Sequence, residues 1–407
     1  MTTFFLNRLA TEPHALAFAG QSTPWPVALA DQTTDPSLDE ALRGHVAAAG
    51  RLLTPVAADL LATTGRPVDL FGFAPNPARL GAAADATASV EGVALTQLGA
   101  LLDLEHLGYS VAQAKPLAVL GHSQGVLAVH MTRAIEAAGS IEAAGKTLNE
   151  ILAVAALIGA AGTRRVRELG LNPKYGEASP MLSVKGATRE QVEALVARVN
   201  NARGPISIAV TNSDNHHVLS GYPEDLAAFA LEAEREHQHQ AKLREQKLHG
   251  GTVFNPTLEY LEVTLPFHSP LMADAVEQTV AWAGACGFDQ KRTRALAEEV
   301  LLNHVDWNAR VKALFDDADP SKLWIVDLGP GNTLGKLIGN VVQGTGIGVV
   351  EATTLAERST LSMLESEPER TQNWKAFAPR SSTPRPAPSG HQRSPSSPAS
   401  RRCCCPA

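Results

Sequence analysis

The stretch PLAVLGHSQGVLAVH, residues 116–130, constrains the fold of this 407-residue chain more than any other. An apolar strand-like run ends at Gly121, and Gly121, Ser123 and Gly125 then complete a GxSxG pattern that leads directly into a helix-like run. In that context the pattern reads as a nucleophile elbow. The glycines permit the tight strand-to-helix turn, and Ser123 is lifted above the end of a sheet. The following helix N-terminus offers backbone donors and a dipole that favours developing negative charge. The alternative is a Gly-rich turn holding a capping serine.

An elbow of this kind needs an α/β sheet beneath it, and the flanking sequence supplies the pattern. Candidate strands are His14–Gly20, Pro116–Gly121 and Leu323–Leu328, each followed by a Gly-containing turn and a stretch at helical spacing. Ligands on such sheets bind at the carboxyl ends of the strands. The middle reads differently: strand 181–186, helix Arg189–Asn200 with Val192, Leu195, Val196 and Val199 on one face, and strand Ile206–Val210. Then come a polar turn (NSDNHH) leading into another strand-like run, a polar helix from Pro223 to about Lys242, and LEYLEVTLPF. The order βαββαβ with short connections predicts a ferredoxin-like unit inserted in the larger domain.

Serine needs a base, because an unassisted hydroxyl is almost fully protonated at neutral pH. Most of the 13 histidines offer little: His216 and His217 fall in the expected polar turn, and His237, His239 and His249 lie on a solvated helix-like stretch. His122 adjoins the serine on a sharp turn and points elsewhere, which suits a structural hydrogen bond. His268, in LPFHSPLM, stands where the chain returns from the inserted unit, just before an apolar helix pattern. Alone it reads as a helix cap; beside Ser123 it becomes the preferred base.

Composition narrows the partners. Residues 380–407 hold five Arg, seven Ser and six Pro with no acid, so residues 1–379 carry 30 basic against 42 acidic side chains. An acidic body argues against a nucleic-acid-binding surface. The tail lacks Leu, Ile, Val and aromatics and is expected to be disordered. Cys286 is the lone cysteine outside it, which excludes a disulfide framework and favours a reducing compartment. No tandem metal-ligand spacing occurs. The most apolar stretch, Ile151–Gly162, is about half the roughly 20 residues a bilayer span needs. The N-terminus has no leader pattern. The expectation is a cytoplasmic protein with no membrane contact.

Four motifs, AFAGQSTPW, VLGHSQG, LPFHSPLM and LNHVDW with VDLGPGNTLGKL, stand in the order and approximate spacing of the malonyl-CoA:acyl-carrier-protein transacylase family. The chain looks most like the N-terminal acetyltransferase domain of bacterial type I fatty acid synthases, over about residues 10–379. The resemblance implies an α/β-hydrolase-like large subdomain with a parallel sheet, about 10–175 and 266–360, and a ferredoxin-like small subdomain, about 176–265. Residues 1–379 would form the acyltransferase domain and 380–407 the disordered tail.

The resemblance also implies thioester-to-thioester acyl transfer from coenzyme A, a substrate and not a bound cofactor, to a phosphopantetheine-bearing acyl-carrier protein or domain, alongside other synthase domains. Position by position, Ser123 matches the acyl-accepting serine and His268 the base. Gln21 matches the oxyanion-hole glutamine, acting through its backbone N–H with that of Gln124. The histidine would be oriented by a backbone carbonyl, which falls near Val300 on counting back from Trp307; Asp327 is the alternative. Malonyl enzymes carry an arginine where Ile158 stands here, so a short neutral acyl group such as acetyl is expected, with malonyl transfer as the alternative. Arg164 and Arg165, further along, would face solvent or the phosphates of coenzyme A. A serine thioesterase or esterase, or an inactive truncated fragment of a multienzyme, are the competing readings.

Overall fold

The computed structural model describes residues 4–65, 69–72, 85–171, 178–200, 205–247, 253–365 and Pro368. The three strands expected to end in Gly-containing turns are β1 (His14–Phe18), β2 (Ala118–Gly121) and β8 (Trp324–Asp327). They form a parallel sheet in the order β2-β1-β8-β9, where β9 is Gly348–Glu351. Its register aligns Phe18 with Gly121, Ala17 with Asp327, and Asp327 with Glu351. One edge therefore gathers the carboxyl ends of all four strands. Every residue of β1 and β8 is buried, as expected of a sheet covered on both faces.

The apolar run 151–162 lies inside a 28-residue helix, Ile141–Glu168, started by the Ser140 side chain accepting from Ala143 N–H at 3.1 Å. By length and composition this helix could cross a membrane. It instead forms the middle of the large subdomain, packed against the helices Ala86–His106, Val126–Ala138 and Ala273–Ala285. Gly159 and Gly162 allow that approach: a Cβ at the first would overlap the Ala86 carbonyl, and at the second a methyl of Leu265.

The inserted unit follows the expected order. Strand β3 (Met181–Lys185) and helix Arg189–Asn200 precede β4 (Ser207–Ser213) and β5 (His216–Ser220). Helix Pro223–Glu245 and β6 (Thr257–Tyr260) complete it. The sheet runs β6-β3-β5-β4-β7, with β3, β4, β5 and β6 pairing antiparallel. Alternation along β3 sends Leu182 and Val184 into an apolar layer with Val192, Leu195, Leu226 and Phe229 under the two helices. The opposite face carries Met181, Ser183 and Lys185 toward the elbow.

Two readings change here. His216 and His217 are strand residues, not turn residues; the turn is confined to Asp214 and Asn215, and β5 begins at once. The fifth strand, β7 (Val305–Asp306), comes from after the insertion and pairs parallel with β4, so the small sheet is closed by a strand of the large subdomain. The Ser/Pro/Arg-rich tail, 380–407, and His249 lie outside the described residues.

Candidate active site

The elbow is built as its glycines require. A Cβ on Gly121 would overlap Val126 N and the Gly125 carbonyl, and one on Gly125 would overlap the Phe18 carbonyl. The turn after β2 can therefore close only over hydrogen at both positions. Ser123 itself has φ 54°, the left-handed region that costs a non-glycine residue backbone strain.

Ser123 Oγ lies 2.7 Å from His268 Nε2. His268 also has a positive φ of 56°, set just before Ser269, whose side chain accepts from Leu271 N–H. Ser269 thus caps the turn Pro270–Met272 that leads into helix Ala273–Ala285, which leaves His268 to turn inward. The other ring nitrogen, Nδ1, lies 2.7 Å from the Asn303 carbonyl. A carbonyl only accepts, so Nδ1 carries the proton and Nε2 accepts from the serine hydroxyl. The orienting carbonyl belongs to Asn303 and not to Val300. Val300 lies within helix Gln290–Leu301, and the carbonyl that meets His268 comes from two residues beyond the helix end. Asp327 does not orient the histidine either: it lies buried in β8 with Oδ1 accepting from Gly329 N–H at 2.9 Å.

Burial lowers the pKa of His268 to about 3, the Asn303 hydrogen bond opposing it only partly, and His122, His304 and Arg310 add to the lowering. The imidazole is neutral across the physiological range, with Nε2 bare of a proton on the side of the serine. His122, also lowered by burial, turns away from the serine as expected: its Nε2 lies 2.8 Å from Asn212 Oδ1 on β4, and its ring stands edge-on to Trp307 at 5.2 Å. Arg310, which no motif signalled, donates to the Gly121 carbonyl at 3.0 Å.

Gln21 lies on the loop after β1, and its side-chain amide donates to Gln124 Oε1, while Gln124 Nε2 donates to the Val90 carbonyl at 2.5 Å. Gly20 lets this loop touch the elbow: a Cβ there would lie 2.7 Å from the His122 carbonyl and 2.9 Å from Ser123 Cβ. Ser123, Gln21 and His122 border a groove of about 550 Å³ between the two sheets. Its far wall is the groove-facing side of the small sheet, where Ser183 and Asn212 stand among Met181, Val210 and Val218.

Ile158 is fully buried in the large core and does not line this groove. Arg164 and Arg165 are engaged by protein groups: Arg164 with Glu168 at 2.9 Å, and Arg165 with Asp274 at 2.8 Å and the Leu271 carbonyl at 3.0 Å.

Residues 180–260, the span of the inserted sheet, match the family described as the fatty acid synthase central AT domain. Fatty acid synthase beta subunit TOXC of Cochliobolus carbonum is 26% identical over 270 residues, covering 57% of this chain and 12% of that protein. The fatty acid synthase subunit beta of Saccharomyces cerevisiae is 28% identical over 217 residues, 47% of this chain and 10% of that one. The chain thus spans about a tenth of the length of these relatives. Among solved structures, a malonyl-transacylase in complex with its type II PKS acyl-carrier protein superposes with a TM-score of 0.59 at 16% identity, covering 86% of this chain and 99% of that one. The malonyl CoA-acyl carrier protein transacylase of Coxiella burnetii gives 0.56 at 17% identity, covering 86% and 97%. At such identities the likeness is one of fold.

Proposed function

From a chain that resembles the acyltransferase domains of fatty acid synthases in sequence and the malonyl transacylases in fold, we propose an acyl-CoA:acyl-carrier-protein S-acyltransferase working through an acyl-Ser123 intermediate. The observation that carries this is the chain of contacts from Ser123 Oγ to His268 Nε2 and from Nδ1 to the Asn303 carbonyl. As the serine oxygen attacks the thioester carbonyl, His268 Nε2 takes its proton; the same proton then leaves with the coenzyme A thiolate. In the second half-reaction the thiol of a carrier phosphopantetheine gives its proton to Nε2, its sulfur attacks the acyl ester, and Ser123 Oγ leaves with that proton. A neutral imidazole held in one tautomer serves both directions.

The backbone N–H groups of Gln21 and Gln124 are the proposed oxyanion donors, on the two loops that Gly20 allows to touch. Such a donor stabilises charge that exists only at the tetrahedral stage, and loss of one typically costs about 3 to 4 kcal/mol. The groove between the sheets suits an extended, partly polar arm, since the small sheet presents Ser183, Asn212 and His216 there beside the apolar Met181, Val210 and Val218. The acyl group is proposed to be acetyl or another short neutral one. Ile158 stands where malonyl enzymes carry an arginine, and being buried away from the groove it offers a dicarboxylic acyl group no cation. The working unit is proposed to be residues 1–379, with the large subdomain from about 10–175 and 266–360 and the inserted one from about 176–265.

Mass spectrometry after incubation with acyl-CoA, with and without a carrier protein, tests the reading. A stable adduct on Ser123 that a carrier thiol discharges is the expected result. Rapid loss of the adduct to water would make the chain a thioesterase, and absence of any adduct an inactive remnant.

A further inference from the structure

Gln97 sits on the helix Ala86–His106 with no exposed surface. Its Nε2 donates to the Ala19 carbonyl at 2.6 Å and makes a longer contact with the Gly329 carbonyl at 3.4 Å. The Gly329 carbonyl also accepts from Ala19 N–H at 2.9 Å. One carboxamide therefore holds the chain where it leaves β1 and where it leaves β8, directly behind the loop that carries Gln21.

The Ala19 carbonyl belongs to the peptide that immediately precedes the Gly20–Gln21 peptide. Because each peptide is planar, fixing that carbonyl leaves only the two soft dihedrals of Gly20 to aim the Gln21 N–H. The next carbonyl is held too: Thr23 Oγ1 donates to Gly20 O at 2.9 Å. On its other side the Ala19 carbonyl bears on the elbow, since a Cβ at Gly125 would lie 2.9 Å from it. The position of Ala19 O thus sets the spacing between the two loops.

Stability alone does not account for a glutamine here. Its Oε1 is buried without a hydrogen-bond partner, a cost that a leucine of similar size would avoid. We infer that Gln97 is a positioning residue that fixes, through the Ala19 carbonyl, the direction of the Gln21 N–H toward the reacting oxygen. This rests on the acyl-serine reading and adds to it a residue that touches neither substrate nor Ser123.

The test uses Gln97→Leu and Gln97→Glu, with a fluorophosphonate probe, an alkyl boronic acid and acyl-CoA as ligands. Fluorophosphonate labelling and boronate binding both put an oxygen in the hole but do not depend on which acyl group or carrier is used. Gln97→Leu is expected to label 10- to 100-fold more slowly and bind boronate correspondingly more weakly, with the KM for acyl-CoA within about twofold, lowering kcat alone. Gln97→Glu is expected to be slow at pH 8 and to recover toward pH 5.5, because a protonated carboxyl donates to Ala19 O and an ionised one repels it. His268 stays neutral over that range, so the unmodified chain shows no such rise.

Labelling of Gln97→Leu at the unmodified rate overturns the inference. Should that variant fail to fold, a Gln97→Glu protein whose labelling does not depend on pH overturns it equally. An unmodified chain that the probe does not label at Ser123 removes the acyl-serine reading itself, and the inference with it.

Discussion

His122 Nε2 donates to Asn212 Oδ1 at 2.8 Å, which ties the residue before Ser123 to a strand of the other sheet. The elbow is therefore not set by the large subdomain alone. Trp307 against the ring and Arg310 on the Gly121 carbonyl hold the same turn from the segment that follows β7.

Replacing Asn212 with leucine strands the buried His122 N–H, which costs about 1 to 3 kcal/mol. Asn212→Leu is expected to lower the melting temperature and to slow Ser123 acylation about tenfold. Asn212→Asp keeps an acceptor and is expected to recover most of the acylation rate. Equal rates for Asn212→Leu and the unmodified chain in a single-turnover assay would mean that the contact does not hold the elbow.

The orienting group for His268 is a main-chain carbonyl, and the Asn303 side chain is exposed. Asn303→Ala is expected to keep acylation within about twofold. Ser123→Ala should form no adduct, and His268→Ala should slow both half-reactions by about a thousandfold or more. A large loss in Asn303→Ala, measured beside these two, would show that the side chain contributes and that the carbonyl alone is insufficient.

These assignments also mark where sequence reading reaches its limit. GxSxG between a strand and a helix announced Ser123, because the glycines it needs lie within two residues of it. His268 emerged as the one histidine at a return from the inserted unit. The Asn303 carbonyl could not be read, since a main-chain acceptor has no side-chain signature and its place depends on where helix Gln290–Leu301 stops. Counting back from Trp307 stopped at Val300, still inside the helix. β9 was missed because GVVE has no Gly-containing turn after it, unlike the three strands that were found. His216 and His217 looked like turn residues because polar residues flank them, whereas pairing with β3 and β4 decides their state. Gln97 carried no signal at all: its partners, Ala19 and Gly329, are backbone atoms 78 and 232 residues away.

Gly20 faces the elbow with no room for a methyl group. A Cβ would lie 2.7 Å from the His122 carbonyl and 3.2 Å from Gln124 N, and both are backbone atoms that cannot rotate away. Gly20→Ala is expected to move the Gln21 and Gln124 loops apart by some tenths of an ångström and to cut kcat at least tenfold. Binding of coenzyme A should stay within about twofold. If Gly20→Ala turns over at the unmodified rate, the contact between the loops has no part in the chemistry.

Asp327 introduces a pH dependence of known sign. Burial raises its pKa to about 7, against the hydrogen bonds from Gly329 and Gly335, with Glu351 and Glu357 adding to the rise. The unfolded chain has this group near its ordinary value of about 3.9. Between those values the folded state binds more protons, so its contribution to stability is present in acid and is lost as pH rises toward 7, on the order of 4 kcal/mol in all. Asp327→Asn removes the titration and keeps an oxygen for Gly329 N–H. The melting temperature of Asp327→Asn relative to the unmodified chain is expected to climb from pH 5 to pH 8; a constant difference would mean that Asp327 is ionised throughout. The buried histidines act in the opposite sense, but they are common to both proteins and cancel in the comparison.

Acyl choice turns on which cations can reach the acyl group, and the segment around Ile158 supplies none. The side chain has no exposed surface, and its neighbour Gly159 abuts the Ala86 carbonyl, so this part of the helix Ile141–Glu168 is closed to any cation without rearrangement. Arg164 and Arg165 are held by Glu168, Asp274 and the Leu271 carbonyl, and their release would forfeit those contacts. A malonyl carboxylate held beside Ser123 without a cationic partner costs about 3 to 5 kcal/mol. At about 1.4 kcal/mol per tenfold, acetyl-CoA should be preferred to malonyl-CoA by about a hundred- to several-thousandfold in kcat/KM. Equal concentrations of the two thioesters are offered to the unmodified protein, and the adduct on Ser123 is read by mass. Ile158→Arg is expected to melt at lower temperature, because it adds volume and an unpaired charge to a closed interior, and to lose acetyl loading. Malonyl loading as fast as acetyl by the unmodified protein would sink the neutral-acyl assignment, and would point to a cation other than these two arginines, such as Lys185 or Lys336 on the groove wall.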